Sequence, residues 1–165
     1  MTRPILDLEK SELERTLDAV ALIALLFYLG FIAYYYPQLP ERVPSHFGPN
    51  GEPDAWSGKG SLLMLPLLCL GMFILFTFIK KIPHKFNYMV KITPENAEAQ
   101  YRKAVTMIAG LNAGIIIAFM YISWRMIAIA RGAEGGLGKW FLPVFLILTF
   151  LPIVVYFFSM GKKDS

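Results

Sequence analysis

Four stretches of the chain run for about twenty residues with almost no ionisable side chain: Ala19–Tyr36, Ser61–Ile79, Ala104–Ile129 and Trp140–Met160. Arg125 is the one charged residue inside them. A hydrocarbon core of about 30 Å is crossed by roughly 20 helical residues, and the backbone inside it must satisfy its own hydrogen bonds. The pattern therefore predicts an all-α integral membrane protein, a four-transmembrane-helix bundle with one structured extracytoplasmic loop. The composition agrees: 56% of the residues are hydrophobic and 17% are charged, against about 25% charged in a soluble domain. One membrane domain, residues 1–165, is expected, with an outer loop at 37–60 and a cytoplasmic loop at 80–103.

Basic residues set the expected orientation. With the N-terminus inside, the cytoplasm holds Arg3, Lys10, Arg15, Lys80, Lys81, Lys85, Lys91, Arg102, Lys103, Lys162 and Lys163. Arg42, Lys59, Arg125, Arg131 and Lys139 fall outside, and eleven against five predicts two cytoplasmic termini. The expected location is a bacterial inner (cytoplasmic) membrane, crossed several times. This topology explains the pI near 9.2, so no nucleic-acid partner is invoked. No signal-peptide cleavage site precedes the first apolar run, which is expected to remain as a helix. Cys69, the single cysteine, lies in a span and reads as a packing residue.

Local signals mark the helix ends. Ser11-Glu12-Leu13-Glu14 fits a capping box, in which serine and glutamate satisfy each other's amides. Pro37 and Pro40 stop the first helix beyond Tyr34–Tyr36, and Lys80-Lys81 reads as a plain cytoplasmic stop for the second, with Pro66 a candidate kink. Thr93-Pro94-Glu95 opens a helix-compatible run reaching Ile129, with Thr93 as its N-cap. Arg125, beside Trp124, is expected to snorkel. The glycines at 132, 135, 136 and 138 predict a short flexible turn. Gly110 and Gly114 form a GxxxG pair that admits a close neighbour, from the same bundle or from a second copy.

The connector at 39–59 carries more chemistry than chain reversal needs: a histidine, three carboxylates, two aromatics and four prolines. Gly48-Pro49-Asn50-Gly51 is a strong turn sequence between Val43–Phe47 and Glu52–Trp56, which predicts a hairpin-like excursion. His46 and Asp54 flank the turn and are expected to approach each other. Two readings stand for this pair: a binding site, or a hydrogen-bonded pin that shapes the loop. A lone histidine offers too few ligands for a zinc site, so no metal and no cofactor are expected. With no paired catalytic carboxylates in a span, no H-E-x-x-H and no G-x-S-x-G, no catalytic residue is assigned and an enzyme is not expected.

The spacing L-P-x-x-V-P-x-H-F-x-x-x-G-x-x-D-x-W-x-x-K resembles a bacterial membrane family, the domain of unknown function 1648. That domain also forms the N-terminal part of the immunity protein SdpI. The pattern is carried here by Leu39, Pro40, Val43, Pro44, His46, Phe47, Gly51, Asp54, Trp56 and Lys59. A second segment, with Asn87, Tyr88, Thr93, Glu95, Asn96, Gln100 and Tyr101, looks like the family's cytoplasmic counterpart, although Asn and Thr before a helix also serve as caps. The resemblance implies a non-enzymatic, SdpI-like protein in the lipid bilayer that senses or binds a secreted peptide, toxin or envelope partner through residues 39–59. It further implies signalling to a cytoplasmic protein at loop 80–103. The alternative is an accessory subunit of a transport or export complex.

Overall fold

The computed structural model describes residues 3–160. Four helices form: α1 (Glu12–Tyr35), α2 (Met64–Ile79), α3 (Ala97–Ala130) and α4 (Phe141–Met160). All four are long and apolar enough, with their adjoining turns, to cross a membrane. The protein is thus a multi-pass membrane protein in a lipid bilayer. Lys162 and Lys163, expected at the end of the last helix, lie outside the described residues.

The long helix α3 is the axis of the bundle. Both α1 and α4 pack along it, and α2 packs against α1 and α3. Its buried positions include Ala104, Ala109, Ala113, Gly114 and Ala118, small side chains that let neighbouring backbones approach. Helix α1 buries Ala21, Leu25, Tyr28 and Ile32, one stripe at helical spacing. In mid-bundle the Tyr28 hydroxyl shares a hydrogen bond with the Ser123 hydroxyl, which satisfies two buried polar groups at once. The GxxxG pair faces α4 of the same chain. A Cβ on Gly114 would lie 2.5 Å from the Leu148 carbonyl oxygen, and one on Gly110 would lie 3.2 Å from the Pro152 ring.

Several helix ends differ from the sequence reading. Ser11 caps α1 by accepting from the Glu14 amide at 3.1 Å, but the capping box is not reciprocal because the Glu14 carboxylate is drawn to Lys80 at 3.1 Å. Pro66 lies in the first turn of α2, where its missing N–H removes no bond of the helix interior. Helix α3 begins at Ala97, not at Pro94. Residues 93–96 form a turn in which the Asn96 side chain accepts from the Thr93 amide at 2.8 Å.

The connector between α1 and α2 holds a two-stranded antiparallel sheet, β1 (Arg42–Phe47) and β2 (Pro53–Gly58). Arg42 opposes Gly58, Val43 opposes Ser57 and Pro44 opposes Trp56, and the register then shifts on either side of His46. Strand β1 leans on α3 and buries Val43 and Pro44. A two-stranded sheet is marginal in isolation, so this seating on the bundle is what stabilises it.

Candidate functional site

The hairpin presents the motif residues. Gly48 and Gly51 close the turn through the Gly51 amide and the Gly48 carbonyl at 2.8 Å, with Gly51 at φ +79°. The Asn50 side chain accepts from the Glu52 amide at 3.1 Å. The irregular register re-aims the side chains next to the turn, as bulges do, and His46 Nδ1 comes within 2.6 Å of Asp54 Oδ1. Both side chains remain largely exposed. Ser57 donates to Ser45 at 2.8 Å, Lys59 pairs with Glu41 at 3.1 Å, and Arg42 donates to the Trp56 carbonyl at 2.9 Å. Phe47 packs against the bundle core, whereas Trp56 stands exposed. Pro40 is exposed and Pro44 is buried.

This hairpin is fastened to a second loop. The Gly51 carbonyl accepts from the Leu137 amide at 2.8 Å, and Leu137 is buried. A Cβ on Gly136 would fall 1.9 Å from the Gly51 carbonyl oxygen, so only glycine allows this approach. Tyr121 donates to the Leu137 carbonyl at 2.7 Å, and Arg125 donates to the carbonyls of Gly136 at 2.6 Å and Glu134 at 3.1 Å. The glycine turn expected to be flexible is therefore pinned, and Arg125, expected to snorkel, is one of its pins.

On the opposite face the second motif segment meets the chain's first residues. Tyr88 donates to the Pro83 carbonyl at 2.9 Å and its ring lies 5.6 Å from that of Tyr101. Burial pushes the Tyr88 phenol above its ordinary pKa. Tyr101 donates to the Pro4 carbonyl at 3.1 Å. Gln100 donates to the Met160 carbonyl at 3.1 Å, which ties α3 to the end of α4. Glu95, held below the usual carboxylate range by the Thr93 hydroxyl, and Asn87 both face solvent. The structure thus gathers Tyr88, Gln100 and Tyr101 beside Arg3, Pro4 and the end of α4, while Thr93, Glu95 and Asn96 shape the turn ahead of α3.

A charged cluster here was missed in the sequence. Lys80 pairs with Glu14 at 3.1 Å and with Asp18, and Lys10 pairs with Asp18 at 2.6 Å. The Lys80 and Glu14 side chains are 7% and 8% exposed. Lys80 is therefore a buried bridge between α2 and α1, not a plain stop. The signal was the i, i+4 pair Glu14 and Asp18, which puts two carboxylates on one face of α1. Among the described residues, no group of three or more His, Cys, Asp or Glu is placed to hold a metal ion.

Four spanning helices with one ordered hairpin define a polytopic membrane protein. Residues 23–70, from mid-α1 through the hairpin into α2, match the family described as a domain of unknown function (DUF1648). The family read from the hairpin motif is thus supported where that motif lies, and the segment at 87–101 is beyond the match. An uncharacterized protein of Archaeoglobus fulgidus is 36% identical over 92 residues, covering 51% of this chain and 48% of its own length. The chain spans about half the length of that relative. Neither match names SdpI, and no solved structure matches significantly.

Proposed function

We propose that this is a non-enzymatic membrane protein whose hairpin recognises a secreted peptide, toxin or envelope partner in the manner suggested by SdpI, at the outer face of a bacterial-type cytoplasmic membrane. In this reading both termini lie in the cytoplasm, where loop 80–103 meets a cytoplasmic protein. One observation carries the proposal: the hairpin is anchored on α3 and on the α3–α4 turn, yet it turns His46, Asp54 and Trp56 outward. Nothing in the bundle needs the His46–Asp54 pair for burial, and an exposed side-chain pair of this kind contributes at most about 1 kcal/mol to stability. A rigid support with exposed polar and aromatic groups suits recognition, where ordering costs are met in advance.

The test is affinity purification in mild detergent, comparing wild type with His46→Ala/Asp54→Ala, followed by binding of the purified partner. A partner lost only by an equally stable variant supports recognition. Identical partners for both proteins would reduce the pair to a loop pin. A second reading, an accessory subunit of a transport or export complex, draws on α4, in which Tyr156 alone is buried. A stoichiometric partner retained by both proteins favours it.

A further inference from the structure

The first described residues lie across the face where α1 begins and α4 ends, and they are attached in an unusual way. Residues 3–10 contain no helix or strand. The body grips them mainly by their carbonyls: Tyr101 donates to Pro4, Arg102 to Glu9 and Arg15 to Lys10, while the Lys10 ammonium pairs with Asp18. In return Arg3 donates to the carbonyls of His84, at 3.3 Å, and Phe86, and lies 5.5 Å from the centre of the Tyr88 ring. No amide of residues 3–10 donates in a backbone hydrogen bond among the described residues.

Packing beneath this strap is incomplete, with Pro4, Leu6 and Leu8 only half-buried. A cavity of about 380 Å³ runs under Leu6, Asp7 and Leu8, with Lys80 and Glu14 among its walls. Another open cleft, of about 640 Å³, adjoins Arg3 and Tyr88. Ile5 is 78% exposed. A segment with no fully buried side chain and no backbone ladder belongs to the less stable part of a fold. Bonds to carbonyls read backbone and not side chain, so any extended segment on the same path satisfies them. Arginine between two carbonyls and an aromatic face supplies the side-chain selection.

We infer that this face is a peptide-binding surface whose resident occupant is the chain's own residues 3–10, and that it exchanges that strap for an extended partner segment led by Arg-Pro. Partner and strap compete for Tyr88, Tyr101 and Arg102, so the strap acts as a built-in competitor. The inference deepens the reading of loop 80–103 as a partner surface. It does not depend on what the hairpin binds, so each proposal can fail alone.

The experiment uses the full chain in nanodiscs with spin labels at Ile5→Cys and Met89→Cys, both exposed positions, while Cys69 is buried. The probe is a synthetic peptide of residues 1–10, and the readout is the distance between labels. A tethered strap competes at an effective concentration on the order of millimolar. Saturable displacement near that concentration is therefore expected, and at least about ten-fold lower peptide should suffice when the chain carries Arg3→Glu. Peptide with Arg3→Ala should fail to displace. No displacement in the parent chain at several-fold above millimolar peptide would overturn the inference and make the strap a fixed part of the fold. Should Arg3→Glu misfold, the parent chain alone still decides.

Discussion

The two faces of this bundle are built by different means. On the hairpin face, backbone meets backbone: Gly51 bonds directly to Leu137, and glycine at 136 allows contact that any side chain would block. On the face where α1 begins and α4 ends, side chains reach for carbonyls and for one another beside open clefts. Direct backbone contact resists rearrangement, because a packed approach has no alternative spacing. Long side chains gripping carbonyls let go one bond at a time. One face is therefore suited to presenting a fixed surface and the other to exchanging its contents, with α3 running between them.

The comparison is broken most severely at the buried charge cluster. Lys80→Met should destabilise the protein by about 3–5 kcal/mol, because two carboxylates lose their shared cation in a poorly hydrated place. Adding Glu14→Gln and Asp18→Asn should recover most of that loss, as read from thermal unfolding in detergent. Gly136→Ala comes next. The clash with Gly51 forces the loops apart at a cost of about 1–3 kcal/mol, the usual range for overpacking, and should loosen the hairpin tip in hydrogen exchange without disturbing the helices. Tyr101→Phe removes one bond to the strap, worth about 1 kcal/mol. It should speed proteolysis between Arg3 and Lys10 while leaving the unfolding midpoint nearly unchanged. Smallest of all, His46→Ala should shift stability by less than about 1 kcal/mol, since its partner and surroundings are solvated. A larger loss would make the pair a structural pin and sharpen the contrast in the opposite sense.

How much of this was legible in the sequence depended on the range of the interaction. The spans were readable because charge, Arg125 apart, is absent from them, and the hairpin because Gly48-Pro49-Asn50-Gly51 encodes a turn locally. The approach of His46 to Asp54 followed from that turn. Glu14 shows where local reading stops. Its spacing from Ser11 suggested a reciprocal cap, but a buried lysine 66 residues away competes more strongly for its carboxylate than one backbone amide does. The docking of Gly51 on Leu137 and the strap's grip on Tyr101 likewise join segments far apart in the chain. No periodicity or turn signal encodes such contacts, so the glycine turn looked flexible and nothing local pointed to a role for residues 3–10.

Hydrogen exchange by mass spectrometry on the full chain in nanodiscs tests the contrast between the faces most directly. The account predicts slow exchange at the amides of Gly48, Gly51, Lys59 and Leu137, which bond to backbone carbonyls, and exchange near the unprotected rate for residues 5–10. Equal protection of the two segments, or a hairpin tip that exchanges as fast as the strap, would contradict it.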